Sequence, residues 1–559
     1  MTHLIALMGS YIVLCASMCA AQAPSAEATA TAWGQVRQWI DDGSVPGHGH
    51  TTPEGVEGVA VLLWWQGHLI GADSAFAAAG DIDPLAKAAR GALAAALADH
   101  RLSKEALPPE LRASALSRLA VEVEVAGPFQ PLNGPTELLH EDLHPSLHGL
   151  GIRRGADWSI RLPSRMRAAG QAATPPTMQG MLFVHGVNVS EADAMRRTGE
   201  LTLYRVETLN LRQLSHDAAP FLFERGRHAM APAIETKDDL RALVDRLATG
   251  LLSAWIELKT DEARADSTKE PKWFLGGTFD PHRDAWTPAN RPERDLALAA
   301  LSLARLARHR PAEGVAHQAA LSMLETLRNA GNLFSATAAL SLLAADALQV
   351  EPPSQWLTAA RTAVVEDDGP ARAMAVLALV NRPTDKAIVR DALRQWSSDG
   401  ARALLETLPW SLLVADLAQD NTLDPLFDLS REVLLARQLG ADGGPWGMEA
   451  SGTVALRNHP DAMGMASLRA GWSLAALIAH APPVERNALR SRALLLATAL
   501  QRRTISDAQA ALWASPDTVR NRVALALWDE RLPVSAQAIA LMTAIDLAEA
   551  LDDMKDVTE

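Results

Sequence analysis

The chain of 559 residues contains only two cysteines, Cys15 and Cys19. From Gln22 onward there is no thiol, so no disulfide, thiolate nucleophile or cysteine-held metal cluster is expected there. Basic residues are also short. Lys and Arg number 52 against 66 Asp and Glu, a formal net charge of -14, and no basic run stands out. That balance argues against a general nucleic-acid or anionic-membrane binder, whose phosphate contacts need clustered cations. The sequence has no Gly-x-Ser-x-Gly elbow, phosphate-binding P-loop or dinucleotide fingerprint in context, and no Ser and His spacing that supports a triad. One apolar run near the start is conspicuous, and no second transmembrane run follows it.

What is present is the material of large cores. Hydrophobic residues make up 48% and charged residues 21%, the balance of a folded protein, and the length predicts two or three domains. The abundance of Ala, and of Arg over Lys, points to a GC-rich bacterial coding sequence. Residues 4–21 form an apolar core followed by small residues, with Cys19 and Ala21 at the two small positions of a cleavage site after Ala21. The stretch is short for a span of roughly 20 apolar residues. A cleaved signal over residues 1–21 is expected, hence export to the periplasm or exterior. A retained anchor is the alternative, since His3 stands where Lys or Arg would be usual.

Residues 22–55 read as a linker and N-terminal segment, small and polar at first, then Gly- and Pro-rich. Val59–Trp65 is a strand, Gln66-Gly67 a turn, and Pro84–Asp99 an Ala-rich helix opened by Asp83-Pro84. Val121-Glu-Val-Glu-Val125 alternates strictly, which predicts a strand with Val buried and Glu in water. Leu150–Leu162 reads as a hairpin turning at Gly155, residues 168–180 as a loop, and Leu201–Leu209 as a further strand. The pattern changes near residue 235. Thr236-Lys-Asp-Asp239 resembles a capping box, and a helical period then dominates to Leu551. Breakers such as Pro311, Pro352-Pro353 and Pro409 divide helical segments, which implies a solenoid or a closed α/α toroid. The expected fold is therefore an α+β domain over 56–230 followed by an all-α domain over 235–555.

The N-terminal pattern resembles the AMMECR-type domain family over about 56–165. The resemblance rests on the order strand, Gly turn, Ala-rich helix, Val-Glu-Val-Glu-Val strand and Gly127-Pro128 turn. It continues through Glu137-Leu138-Leu139, His148-Gly149-Leu150 and Ile152-Arg-Arg-Gly155. The resemblance implies an α+β fold. The family's Leu-Arg-Gly-Cys-Ile-Gly hexapeptide falls at Leu69–Ser74, where Leu69 and Gly71 match but Ile70 and Ala72 replace the arginine and cysteine. The resemblance therefore implies no inherited activity at that motif. The C-terminal half resembles the α/α toroid group of terpenoid cyclases and six-hairpin glycosidases and lyases. The cues are Gly277-Thr-Phe-Asp-Pro281, the helix start at Arg294-Asp-Leu, Gly443-Gly-Pro-Trp-Gly447, and Asp461 leading into the Trp472 helix. In such folds, loops at one end build the cleft.

On that resemblance the cleft candidates are Asp280, His282, Glu449, His459 and Asp461 for proton transfer, and Arg294, Trp446 and Trp472 for ligand binding, with Asp295 beside Arg294. Glycan chemistry needs an acid, a base and an aromatic platform. The same residues also read as turn caps and surface charges, Asp280 before Pro281 above all. Glu366-Asp367-Asp368-Gly369 reads as an interhelix loop and not as a cyclase motif. His140, His144 and His148 share an i, i+4, i+8 spacing that could bind zinc on a helix, but Pro145 interrupts one. His48 and His50 lie in a Gly-rich loop without a carboxylate. No metal or cofactor is expected. The leading expectation is an exported envelope protein that binds a glycan or protein ligand, or acts as a scaffold, without catalysis. The second is a polysaccharide hydrolase or lyase. The third is metal binding by the N-terminal histidines.

Overall fold

The computed structural model describes residues 23–553, apart from 48, 50, 103–107, 137–138, 140–142, 146, 172–173, 224, 226–229, 265–276, 312–313, 332, 419–423 and 458. The signal expected over 1–21, both cysteines, His48, His50 and His140 lie outside the described residues. The chain divides into two compact units, Met1–His228 and Ala229–Glu559.

In the first unit the segment expected to be a linker is instead a helix, α1, Ala26–Asp41. Ser25 caps it by accepting from the Ala28 amide, and Ala32, Val36, Trp39 and Ile40 bury one face at helical spacing. The run of small residues that looks linker-like is Ala-rich, and Ala has the best intrinsic helix propensity. Strands β1 (Gly58–Trp65) and β2 (His68–Phe76) form a hairpin through Gln66 and Gly67, which both take positive φ, at 49° and 81°. A two-residue turn of that hand matches the twist of the strands it joins. Helix α2 (Pro84–Ala98) has Pro84 in its first turn and Asp83 as its cap. It packs so closely on β2 that a Cβ at Gly71 would meet the Ala92 carbonyl oxygen at 2.3 Å. The expected hairpin is present as β5 (His148–Arg154) and β6 (Asp157–Arg161). With β3 (Ala120–Ala126) and β7 (Leu201–Arg212), the sheet order is β2-β1-β3-β7-β5-β6. Two short strands, β4 (Gln130–Pro131) and β8 (Phe221–Leu222), also pair with β7. Every pairing is antiparallel. The expected loop over 168–180 is corrected in part: Thr174–Val184 is helical, with Pro175 and Pro176 in the first turn, where their missing N–H groups cost little.

The strand β3 corrects the expectation of glutamates in water. Val121, Val123 and Val125 face α1 and α2 in one core. Glu122 and Glu124 are also buried, at 1% exposure each. Glu122 accepts hydrogen bonds from Trp64 Nε1 (3.0 Å), Asn210 Nδ2 (2.7 Å) and Arg167 (3.3 Å), with Arg212 at 3.7 Å. Glu124 accepts from the Ser164 amide and the Thr208 hydroxyl, and burial pushes its carboxyl above its ordinary range against the pull of Arg167. Alternation marks the two faces of a strand but is blind to whether the polar face is covered. Here buried arginines cover it. Arg212 lies 3.9 Å from the Trp64 ring centroid and 4.9 Å from that of Phe223.

The second unit is mostly helical. Helix α3 (Lys237–Arg264) opens on the expected capping box: Asp239 N donates to Thr236 Oγ1 (3.1 Å), and Thr236 N donates to the Asp239 carboxylate (3.0 Å). Strands β9 (Gly277–Asp280), β10 (Ala285–Pro288) and β11 (Leu532–Pro533) form a small sheet in the order β10-β9-β11. The remaining helices needed here are α4 (Pro292–His309), α5 (Ser335–Ala347), α6 (Gly369–Leu379), α7 (Trp410–Ala418), α8 (Met465–His480) and α9 (Val534–Asp552). Each packs on the next: α4 on α5, α5 on α6, α6 on α7, α7 on α8, α8 on α9, and α9 on α4. Between them in sequence lie further helices such as Gly314–Asn329 and Ser354–Glu366, which pack against α4, α5 and α6. Leu and Ala dominate the shared core, and small Ala side chains let helix axes approach closely. Helix α9 is long and apolar enough to cross a membrane by length and composition, but it is buried within the unit.

Removing the carboxylate at Glu122 takes from buried Arg167 a hydrogen-bond partner at 3.3 Å and from buried Arg212 an ion-pair partner at 3.7 Å. Glu122→Ala should lower the stability of the first unit by about 3–5 kcal/mol, read as an earlier urea transition by tryptophan fluorescence. A change below about 1 kcal/mol would show that the carboxylate does not balance those arginines.

Candidate ligand pocket of the helical unit

The cavity that best fits a functional site is a pocket of about 340 Å³ where the first turns of α4, α7, α8 and α9 meet. From α4 and the residues just before it come Asn290, Arg291, Arg294, Asp295 and Leu298. Pro409 and Trp410 open α7; Met465, Arg469 and Trp472 lie along the start of α8; Ser535 and Ile539 come from α9. Leu340 of α5 and Met374 of α6 complete an apolar floor. The volume falls within the range of small-molecule sites. First-turn N–H groups lack intrahelical acceptors, so converging helix starts give the rim a positive potential.

Local sequence explains the placement. Pro292 in the first turn of α4 fixes where that helix starts, which sets Arg294 and Asp295 immediately before the buried run Leu296–Leu301. Arg469 and Trp472 are three residues apart on α8 and therefore share a face. Trp472 is held firmly: its Nε1 donates to Asp546 Oδ2 at 2.8 Å, and Trp410 stands edge-on to it at a centroid distance of 4.9 Å. Asp546, on α9 and 2% exposed, also pairs with Arg305 of α4. Burial opposes the charge on Arg305, yet Asp546 and Glu549 hold its pKa above the ordinary value. One carboxylate thus ties α4, α8 and α9 together beneath the pocket.

The pocket's own charges are less satisfied. Among the described residues, the side chains of Arg294, Asp295 and Arg469 have no hydrogen-bond or ion-pair partner. Burial pushes the Asp295 carboxyl up to about 6, with Arg294 opposing the shift and Glu293 adding to it. Burial and the nearby charge of Arg294 hold the Arg469 guanidinium below its ordinary value. An arginine in this setting stays charged, so two neighbouring cations sit partly desolvated in one concavity. Arg291 is exposed at the rim and covers the Phe334 ring at 4.6 Å.

Of the residues singled out in the sequence, Arg294, Asp295 and Trp472 line this pocket. Others gather elsewhere in the unit. Asp280, at the end of β9, accepts from the His282 amide at 3.0 Å and lies 3.6 Å from Arg283, which is the turn-capping geometry. His282 Nε2 is 2.6 Å from Glu530 Oε2, and its ring meets Trp513 edge-on at 4.7 Å. Trp446 is buried and packs against Trp528 at 5.4 Å, where it has no open face to offer a sugar. Glu449 is half-buried in the following turn and faces the charge of Arg502. His459 is half-buried, its amide donating to the Arg457 carbonyl. Asp461 falls in the short turn Pro460–Met463, and its side chain lies outside the described positions. In the first unit, His144 N donates to His148 Nδ1 at 3.0 Å, and His148 opens β5, so the pair shares no helix. Among the described residues no group of three or more His, Cys, Asp or Glu could hold a metal ion.

Sequence reading missed Arg469, Trp410 and Ser535. Arg469 left a signal: it is the one cation before His480 in the apolar helix Met-Ala-Ser-Leu-Arg-Ala-Gly-Trp-Ser-Leu. A charge placed there must either pair or face a cavity.

No protein-family model matches the chain, and no curated protein matches it. Among solved structures, the chain is similar to the "Uncharacterized Protein PH0010 From Pyrococcus horikoshii", at 18% identity and a TM-score of 0.22, over 35% of this chain and 94% of that one.

Asp546 supports the floor of the pocket through two charged or polar partners. Asp546→Ala should destabilise the helical unit by about 3–5 kcal/mol, seen in chemical denaturation. Unfolding at the wild-type denaturant concentration would show that the Arg305–Asp546–Trp472 contacts are dispensable.

Proposed function

We propose that the helical unit is a binding module for a small anionic ligand, of which an acidic sugar is the best fit, with its site in the pocket of Arg294, Asp295, Arg469 and Trp472. The observation that carries this reading is the pair of guanidinium groups, Arg294 and Arg469, lining one cavity beside Asp295, a carboxylate that neither of them hydrogen-bonds among the described residues. Partly desolvated like charges repel and cost stability, and an incoming carboxylate relieves both effects. Arginine forks hold a carboxylate in two-point fashion. Asn290 and Ser535 offer hydrogen-bonding groups for hydroxyls, and Leu298, Trp410 and Trp472 contribute apolar lining.

The wider architecture of the proposal follows the sequence resemblances. The first unit would be an AMMECR-like domain; its strand-turn-strand, Ala-rich helix and β3 stand in the order that family leads one to expect. The second would be an α/α toroid. Support comes from the packing order α4, α5, α6, α7, α8, α9 and back to α4, with intervening helices packed against α4, α5 and α6. The apolar run at residues 4–21 supports export to the periplasm or exterior.

The polysaccharide hydrolase or lyase reading draws on Asp295, whose carboxyl near 6 suits a general acid. Binding is favoured because, among the described residues, the pocket lining offers Asp295 as its one carboxylate, whereas hydrolysis needs an acid and a second carboxylate. Asp280 and Glu449 face Arg283 and Arg502 respectively, outside that lining.

Thermal unfolding of the chain from Gln22 onward, with D-galacturonate, its oligomers and malonate against neutral D-galactose, tests the proposal. A ligand at about 100 times its dissociation constant should stabilise the unit by about 2.7 kcal/mol. Arg469→Leu should abolish that shift while preserving the helix. No shift with any acid, or equal shifts with galactose, would overturn the proposal.

A further inference from the structure

We propose that the pocket takes up its anionic ligand together with one proton, carried on Asp295, so that binding is coupled to acidity. This rests on the anion-binding reading above and concerns how that same site is regulated. The geometry supplies the reason. Asp295 shares one cavity with the two cations, so an anion held there by Arg294 and Arg469 lies in the same enclosed space as its carboxyl. When Asp295 is ionised it competes with the ligand for Arg294 and repels the ligand. When protonated, its O–H can donate to the ligand's carboxylate or hydroxyl, and Arg294 is released to the anion beside Arg469.

The surroundings of Asp295 make the exchange asymmetric. Its own helix contributes Glu293, Arg291 and Arg294, and α8 contributes Arg469. Among the described residues, the lining from α5, α6, α9 and the start of α7 is Leu340, Met374, Pro409, Trp410, Ser535 and Ile539, none of which titrates. Without a ligand, burial already brings the Asp295 carboxyl up to about 6, while Arg294 opposes that rise. An anion on the arginines neutralises the group that opposes protonation and adds a like charge, so both effects raise the carboxyl further. The sign of the linkage follows. Below about pH 6 the free site is already protonated and affinity is level. Above it, each binding event draws a proton from solvent, and affinity falls as pH rises, by at most about tenfold per pH unit for one coupled proton. A uronate's own carboxyl stays ionised across that range, so the effect belongs to the protein.

Isothermal titration of D-galacturonate into the chain from Gln22 onward, from pH 5 to 8 and in buffers of different ionisation enthalpy, tests this. The expected result is uptake approaching one proton at pH 7, none at pH 5, and a matching loss of affinity between them. Asp295→Asn, checked for folding by its thermal transition, should abolish the proton uptake and flatten the pH profile. Binding that is independent of both pH and buffer in the wild type would overturn the coupling but leave the anion site standing. Unchanged coupling in Asp295→Asn would reassign the proton to another group and overturn the inference. The absence of binding at every pH would overturn both this inference and the acidic-sugar reading on which it rests.

Discussion

The helical unit depends on one buried carboxylate. Asp546 sits in the middle of α9, the most enclosed helix of the unit, and satisfies Arg305 of α4 and the indole N–H of Trp472 on α8. In a core built from Leu and Ala, dispersion and burial set how closely helices pack but leave rotation and register loosely defined. A charged hydrogen-bonded centre allows one arrangement, since any slip would leave a buried charge unpaired. That arrangement fixes the height of Trp472, hence the floor of the pocket, and it fixes how the first turns of α4, α8 and α9 meet above it.

The first unit solves a related problem on a sheet. One face of β3 is aliphatic and packs on α1 and α2, whereas the other carries Glu122 and Glu124 into an enclosed layer with Arg167, Arg212, Asn210 and Trp64. The layer is held through Glu122 and Glu124, and Arg212, close to the rings of both Trp64 and Phe223, fills space as well as balancing charge. Contrast that layer with the pocket of the second unit. Arg167 and Arg212 have a carboxylate to share; Arg294 and Arg469 are directed at open volume. The same residue type marks structure in one place and a candidate ligand site in the other, and what separates them is whether a carboxylate stands within bonding distance.

Much of the fold was legible in the sequence because it rests on local signals. The β1–β2 turn at Gln66-Gly67, the Asp83-Pro84 helix start, the β5–β6 hairpin and the Thr236–Asp239 box all act within a few residues, and each appears where its chemistry predicts. The misreadings share a cause of another kind. Whether Glu122 meets water, whether Ala26–Asp41 is a helix or a linker, and whether Pro175-Pro176 ends or begins a helix are decided by distant partners. Glu122 finds Arg167 and Arg212, and α1 finds the Val face of β3. The pocket was half legible. Arg294, Asp295 and Trp472 stood near helix starts and drew notice. Arg469 and Trp410 come together with them only because helices far apart in the chain share one end, which no local pattern records. Trp446 and His282 looked like site residues for the same reason that they make a good small core: they are large, they hydrogen-bond, and they lie beside tight turns.

The central claim is that Arg294 and Arg469 await an anion. A crystal soaked in bromide and measured at the bromine absorption edge tests it without assuming the natural ligand. The account predicts an anomalous peak in the pocket, between the two guanidinium groups and above Trp472. Bromide found only at exposed arginines such as Arg291, with none in the pocket, would contradict it.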